Sequence, residues 1–159
     1  MIRLNKLTDY CIVLLIHITR TADGSPQNAR DLSEMSKLPL PTVGRLLKKM
    51  VNAGFLESYR GVNGGYSLAL PATGITVAEI VRQLEGPIGM TECSCVVDIP
   101  DCAQDGECPA LTPWQTISAT IADSLEKISL ADMAGPIRTI KTEFSVLNSS
   151  NTPKPSQPS

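Results

Sequence analysis

Phe55-Leu56-Glu57-Ser58-Tyr59-Arg60-Gly61-Val62-Asn63-Gly64-Gly65-Tyr66-Ser67-Leu68-Ala69-Leu70 is the stretch on which the fold turns. Residues 55–59 and 66–70 read as two strands. Between them, Arg60 to Gly65 carries three glycines and an asparagine, residues that tolerate positive φ, so this segment reads as a hairpin tip. A Gly-rich turn can also be a phosphate-binding loop of an enzyme. Such a loop leads from a strand into a helix N-terminus, whereas this one leads into a second strand.

The residues upstream give the hairpin its meaning. Apolar residues Leu4, Leu7, Cys11, Leu14, Leu15 and Ile18 recur at three- and four-residue steps and predict a helix over 4–20. Cys11 lies on that stripe and reads as a small buried hydrophobe. His17, the only histidine, lies off it and reads as an exposed side chain. After a turn at 22–27, Asn28 can cap a second helix to about Ser36, with Ala29, Leu32 and Met35 inward. A break at Lys37-Leu38-Pro39-Leu40-Pro41 precedes a third helix, for which Pro41 suits the first position and Gly54 the end. Val43, Leu46, Leu47, Met50 and Val51 form its apolar face; Thr42, Arg45, Lys48, Lys49 and Asn52 point the other way. Two short helices joined by a tight break, followed at once by a hairpin, make a winged helix-turn-helix. A basic solvated face on an ordinary helix would look the same as far as Ala53; the hairpin decides between them.

The charge distribution agrees. Residues 1–70 hold nine Lys/Arg and five Asp/Glu, a net +4, and residues 71–159 hold five and eleven, a net −6. A basic half joined to an acidic half points to a polyanion as partner of the first. Hydrophobic residues make up 42% of the 159, enough for one packed core. The apolar run at 11–16 is too short to span a membrane, and no small-residue cleavage site follows it. The expectation is a cytoplasmic protein without a membrane partner.

Beyond the wing, residues 71–74 read as a linker. Thr76 caps a helix to about Leu84, which Gly86-Pro87 ends. Four of the five cysteines follow within sixteen residues: Cys93, Cys95, Cys102 and Cys108. Five acids and no Lys or Arg lie within residues 91–108. Gathered thiolates can close around a soft metal centre. Two disulfides would need an oxidising compartment. Zinc ligands usually come as CxxC pairs, whereas these cysteines are spaced by one, six and five residues. The chemistry favours iron–sulfur over zinc, with both open. Thr112-Pro113-Trp114-Gln115 then reads as a capping box. The helix it would open carries Trp114, Ile117, Ile121, Leu125 and Ile128 as an apolar seam. Such a seam suits a second copy of the chain. Leu130–Met133 can begin a short last helix, and the Ser/Asn/Pro-rich residues from 145 predict disorder.

The chain resembles the iron–sulfur transcriptional regulators of the IscR, NsrR and SufR-like kind over about residues 1–133. The resemblance is carried by Arg3-Leu4 with Leu7-Thr8-Asp9-Tyr10, the helix-turn-helix at 38–50, the wing from Arg60 to Tyr66, Val77-x-Glu79-Ile80-Val81, the cysteine loop and the Trp114 helix. Glu85-Gly86-Pro87, Thr91-Glu92-Cys93-Ser94 and Cys108-Pro109 are similar to regulators of the SUF cluster-assembly operon. The resemblance implies a mainly α fold with a small β-hairpin wing and a long C-terminal dimerisation helix. Its parts would be a DNA-binding domain at 1–86, a cluster loop at 87–110, a dimerisation helix at 111–134 and a tail at 145–159.

It also implies a function: a homodimeric regulator, a repressor rather than an enzyme, whose affinity for a double-stranded operator depends on an iron–sulfur cluster. By the family pattern the metal ligands are Cys93, Cys102 and Cys108. Leu111 occupies the place of the histidine that IscR-like members use. Asp9 matches the acid that NsrR-like members supply across the dimer, and Cys95 is the runner-up. Without that histidine, 2Fe–2S and 4Fe–4S centres both remain compatible. DNA contacts fall on Thr42, Arg45, Arg60 and Asn63, with Lys48 and Lys49 on phosphates. A regulator with structural zinc and a thiol–disulfide switch are the alternatives.

Overall fold

The computed structural model describes residues 4–21, 24–62, 64–91 and 108–136. Cys93, Cys95, Cys102, Asn63 and the tail from 145 lie outside the described residues. Helix α1 (Lys6–Thr19) is capped by Asn5, whose side chain accepts from the Leu7 amide. Helix α2 (Ala29–Ser36) is capped by Asn28, which accepts from the Asp31 amide, as its sequence predicts. Lys37, in the left-handed region at φ 59°, turns the chain into α3 (Leu40–Asn52), with Pro41 in its first turn. Strands β1 (Leu56–Tyr59) and β2 (Gly65–Leu68) pair antiparallel, Leu56 opposite Leu68 and Tyr59 opposite Gly65. This is the expected helix-turn-helix and wing.

The wing is fastened to the body. Gln27 and Tyr66 exchange two backbone hydrogen bonds of 2.9 Å, so the residue before the α2 cap adds a short third rung beside β2. That rung explains Gly65. A Cβ there would lie 2.7 Å from the carbonyl carbon and oxygen of Gln27. Gly65→Ala therefore pushes the hairpin off the body. The expected loss is about 1–3 kcal/mol of stability, the usual cost of overpacking, measurable as a lower midpoint in urea unfolding.

After one 3-10 turn (Ala72–Gly74), α4 (Val77–Glu85) is capped by Thr76, which accepts from the Glu79 amide. The long helix α5 spans Leu111–Glu126, and α6 spans Leu130–Ala134 with a reciprocal Ser129–Asp132 capping box. The α5–α6 corner is stitched back to the start of α4. The Val77 amide donates to the Ile128 carbonyl at 2.9 Å, and the Leu130 amide to the Ile75 carbonyl at 2.8 Å. An Arg82–Glu126 ion pair adds a side-chain tie, and Arg20 caps the end of α6 by donating to the Ala134 carbonyl at 2.9 Å.

Leu14, Leu15, Leu32, Val43, Leu47, Ile75, Ile80 and Leu130 are wholly buried in one core, so α6 completes the same core as the helix-turn-helix. Four sequence expectations need correction. On α1 the buried face runs through Thr8, Cys11, Ile12, Leu15 and Ile18; Leu4 and Leu7 are exposed. The helix packs against α2, α3, α4, α6 and β2, which buries a wider arc than one stripe and draws in Thr8. Met35 is exposed, because Leu32 alone anchors the two turns of α2. Thr112 does not cap α5. The chain turns at Pro109-Ala110 and the helix begins at Leu111, whose amide donates to the Cys108 carbonyl at 3.2 Å. Pro113 then falls within the first turn, where an amide proton is not needed. His17 is half-buried rather than exposed.

Candidate nucleic-acid interface and metal-binding loop

The outer face of α3 is built by what its inner face buries. Val43, Leu46, Leu47 and Met50 are held in the core, which leaves Arg45 and Lys48 exposed on the opposite side, with Thr42 half-buried near the helix start. The wing follows directly. Arg60 is exposed at the end of β1, and the turn closes through a 3.0 Å bond from the Gly64 amide to the Gly61 carbonyl. Gly61 has φ +110°, and a Cβ on Gly64 would lie 2.5 Å from the Tyr59 carbonyl oxygen. This tip thus requires both glycines. A recognition helix and a wing, each presenting unpaired cations, can grip phosphates and reach base edges.

Lys49 is placed differently from its neighbours. Its ammonium donates to the Leu84 carbonyl at 3.1 Å, at the C-terminal end of α4. This was a contact that spacing within α3 could not reveal.

The cysteine loop is described at its two ends. At the entrance, the Met90 amide donates to the Ser118 hydroxyl at 3.0 Å; Ser118 is the one buried residue of α5. At the exit, Cys108 is a half-buried free thiol whose carbonyl starts α5. Both ends are therefore held on one helix, about 10 Å apart along its axis at 1.5 Å per residue. Cys108 is the described thiol at this setting, and Cys93, Cys95 and Cys102, the other candidate donors to a soft metal centre, lie outside the described residues. Among the described residues, no three His, Cys, Asp or Glu side chains gather into a metal-binding group.

Asp9 is exposed in the first turn of α1. That turn is held to the end of α4, since the Asn5 amide donates to Glu85 Oε1 at 2.7 Å. Asp9 follows Asn5 by about one turn of α1. Leu111, in the place of a histidine, is half-buried. Cys11 is excluded as a ligand. It is buried in the core, and burial pushes its thiol up to about 11, with Lys49 pulling the other way. A neutral, enclosed thiol is a packing group.

Comparison with known proteins now assigns the fold. The family model described as Rrf2, iron-dependent transcriptional regulator, matches residues 4–136. The chain belongs to the Rrf2 family. It is 31% identical over 131 residues to a Haemophilus influenzae protein named an HTH-type transcriptional regulator, covering 80% of this chain and 85% of that one. It is 25% identical to the HTH-type regulator IscR of Vibrio cholerae, over 82% of this chain and 74% of the relative. Among solved structures it is similar to CymR, the global cysteine regulator of B. subtilis. That match has a TM-score of 0.67 at 25% identity and covers 84% of this chain and 97% of the other. T. potens IscR matches with a TM-score of 0.64 at 25% identity, covering 83% and 85%. Rrf2 relatives are transcriptional regulators, and this chain is one of them and not an enzyme. Among the described residues no helix is long and apolar enough to cross a membrane.

Proposed function

We propose that this Rrf2 chain is a cytoplasmic, homodimeric repressor. Its operator affinity is controlled by an iron–sulfur cluster held in the 91–108 loop, and its targets are genes of cluster assembly. The observation that carries the reading is the loop's double attachment to α5, at Ser118 and at Leu111. Cys93, Cys102 and Cys108 would hold the cluster, with Asp9 as fourth ligand and Cys95 as runner-up. A cluster bound there supplies a soft centre whose loss or oxidation releases the loop. The protein's own part is mechanical. Met90 and the end of α4 precede the loop, and the end of α4 abuts both α1 and α3. Two states with different DNA affinity follow only from a difference in binding between them.

DNA is gripped by Thr42, Arg45 and Lys48 on α3 and by Arg60 and Asn63 on the wing. Arg60→Ala should weaken binding to the operator by about 1–3 kcal/mol, the worth of a bidentate base contact. Lys48→Ala should weaken all sequences alike and lower the salt slope by about 0.9, the share of one phosphate. Fluorescence anisotropy across a salt series reads both. Parent-like binding of both variants at every salt concentration would sink the interface.

A thiol-based switch is the second reading. It is favoured by the equal 25% identity to CymR, a cysteine regulator with a solved oxidised form from Staphylococcus aureus. The absorption spectrum of anaerobically purified protein, with iron and sulfide analysis, separates the two. Visible absorbance with matching iron and sulfide supports the cluster. Colourless protein that switches DNA affinity on thiol oxidation supports the alternative.

A further inference from the structure

The first half of α3 carries an apolar edge beside its cations. Leu40 opens the helix and is 43% exposed, the one large hydrophobic side chain of α3 that is exposed. Pro41 next to it is exposed too. Gly44 stands one turn further on, four and three residues from them, so the three share one patch of helix surface. Lys48 follows Gly44 by another turn, and Arg45 is exposed directly after it.

Neither the backbone nor the packing of the chain requires glycine at position 44. The residue lies inside a regular helix and has no positive φ. A Cβ built on it meets no atom within 4 Å, whereas on Gly64 or Gly65 it would strike backbone. Glycine inside a helix costs stability relative to alanine, and among the described residues nothing stands close enough to Gly44 to offset that cost. A lone exposed leucine is ordinary. An exposed leucine and proline beside a bare helical glycine form a notch with apolar walls.

The surroundings identify what covers this notch. Arg45 and Lys48 on α3 and Arg60 on the wing are exposed cations that suit a polyanion. The N-terminal residues of a recognition helix are those that meet base edges in the major groove. The side chains of Leu40 and Pro41 neither donate nor accept hydrogen bonds. The apolar group on the major-groove edge of a base pair is the C5 methyl of thymine. We infer that Leu40, Pro41 and Gly44 form a notch that seats a thymine methyl group, which makes Gly44 a specificity-determining residue. The notch rests on the proposed grip of α3 on DNA, and it adds the base that the start of the helix selects. Arg45 and Lys48 attract any duplex; the notch prefers thymine over a base that lacks the methyl.

The test uses the full-length protein, purified anaerobically, and a duplex that the protein itself selects from a random pool. Thymines of that duplex are replaced one at a time by deoxyuridine, which removes only the methyl group. At one of these positions the parent should lose about fourfold in affinity, the worth of one buried methyl group. Gly44→Ala should weaken binding to the thymine duplex by about 5- to 150-fold, the cost of forcing a methyl group into an occupied site. It should also no longer prefer thymine over deoxyuridine at that position. The same variant should be more stable than the parent, its urea midpoint raised by about 0.3–1 M, so the loss of binding does not come from a loss of fold. Leu40→Ala should cut the fourfold preference to below about twofold, because one wall of the notch is gone. A parent that binds every deoxyuridine duplex as it binds the thymine duplex overturns the inference. So does a Gly44→Ala variant with parental affinity and preference. A Gly44→Ala variant that weakens thymine, deoxyuridine and random duplexes by one factor has met the DNA backbone, and that pattern overturns methyl reading as well. Lys48→Ala, measured beside them, tells failure of the notch from failure of the interface. If its binding and salt slope stay parental, α3 does not meet DNA, and the notch falls with it.

Discussion

Cys93→Ala, Cys102→Ala and Cys108→Ala should each purify colourless from anaerobic cells that yield a coloured parent. The expectation follows from the proposed ligand set, in which three thiolates carry most of the binding. Soft centres depend on thiolate donors, and a methyl group offers no replacement. Cys108 is the one of the three among the described residues. It is half-buried at the foot of α5, and its own carbonyl begins that helix. A ligand fixed to a rigid element loses little freedom on binding, so its removal is not made good by the remaining chain. Cys95→Ala should keep its colour, and Asp9→Ala should keep a more labile or spectrally altered form. A carboxylate is a weak, exchangeable donor for such a centre. A colourless Cys95→Ala beside a normally coloured Cys93→Ala would falsify the assignment and move the first ligand two residues along.

Ile117→Glu should convert the proposed homodimer to monomers at micromolar concentration. Of the sixteen residues of α5 only Ser118 is buried within the chain, while Trp114, Ile121 and Leu125 are half-buried and Ile117 is 43% exposed. A helix this apolar with so little of its surface covered fits a second copy. Ile117 is the better probe than Ile121, because it meets solvent in the single chain, so the substitution spares the monomer's own packing. Burying an unpaired carboxylate at an interface costs several kcal/mol, and each 1.36 kcal/mol is tenfold, so the dissociation constant should rise at least about 100-fold. Sedimentation velocity reads the mass, and an unchanged far-ultraviolet spectrum confirms the fold. A monomeric parent, or a variant that remains dimeric, would remove this helix from the interface.

The parts of the fold that were legible in the sequence are those with strong local punctuation. Asn28, Pro41, Gly54 and Thr76 bound their helices because capping and breaking are properties of a few adjacent residues. The wing was legible for the same reason, with Gly61 and Gly64 at its tip. The face of α1 was not, because five neighbouring elements decide which of its side chains are covered. The start of α5 was misplaced because Thr112-Pro113 imitates a cap, while the real start depends on the turn after Cys108. In the candidate site, spacing could name the cations of α3. It could not show that the exposed Lys49 reaches a carbonyl 35 residues away, since no local rule reports a tertiary acceptor. The Asn5–Glu85 bond, which ties the start of α1 to the end of α4, is a contact of the same long-range kind.

The Gln27–Tyr66 rung has a thermodynamic meaning for a DNA-binding protein. A hairpin of two four-residue strands is marginal by itself in water, and a wing that had to fold against its operator would spend binding free energy on its own ordering. Here the strand next to the body is already paired with it, and the turn is closed by Gly61 and Gly64. The wing meets the duplex preorganised, so little backbone entropy is lost when Arg60 docks. Discrimination between sequences then depends on how well each duplex matches a rigid template, and a poorly matched groove must itself deform to be read.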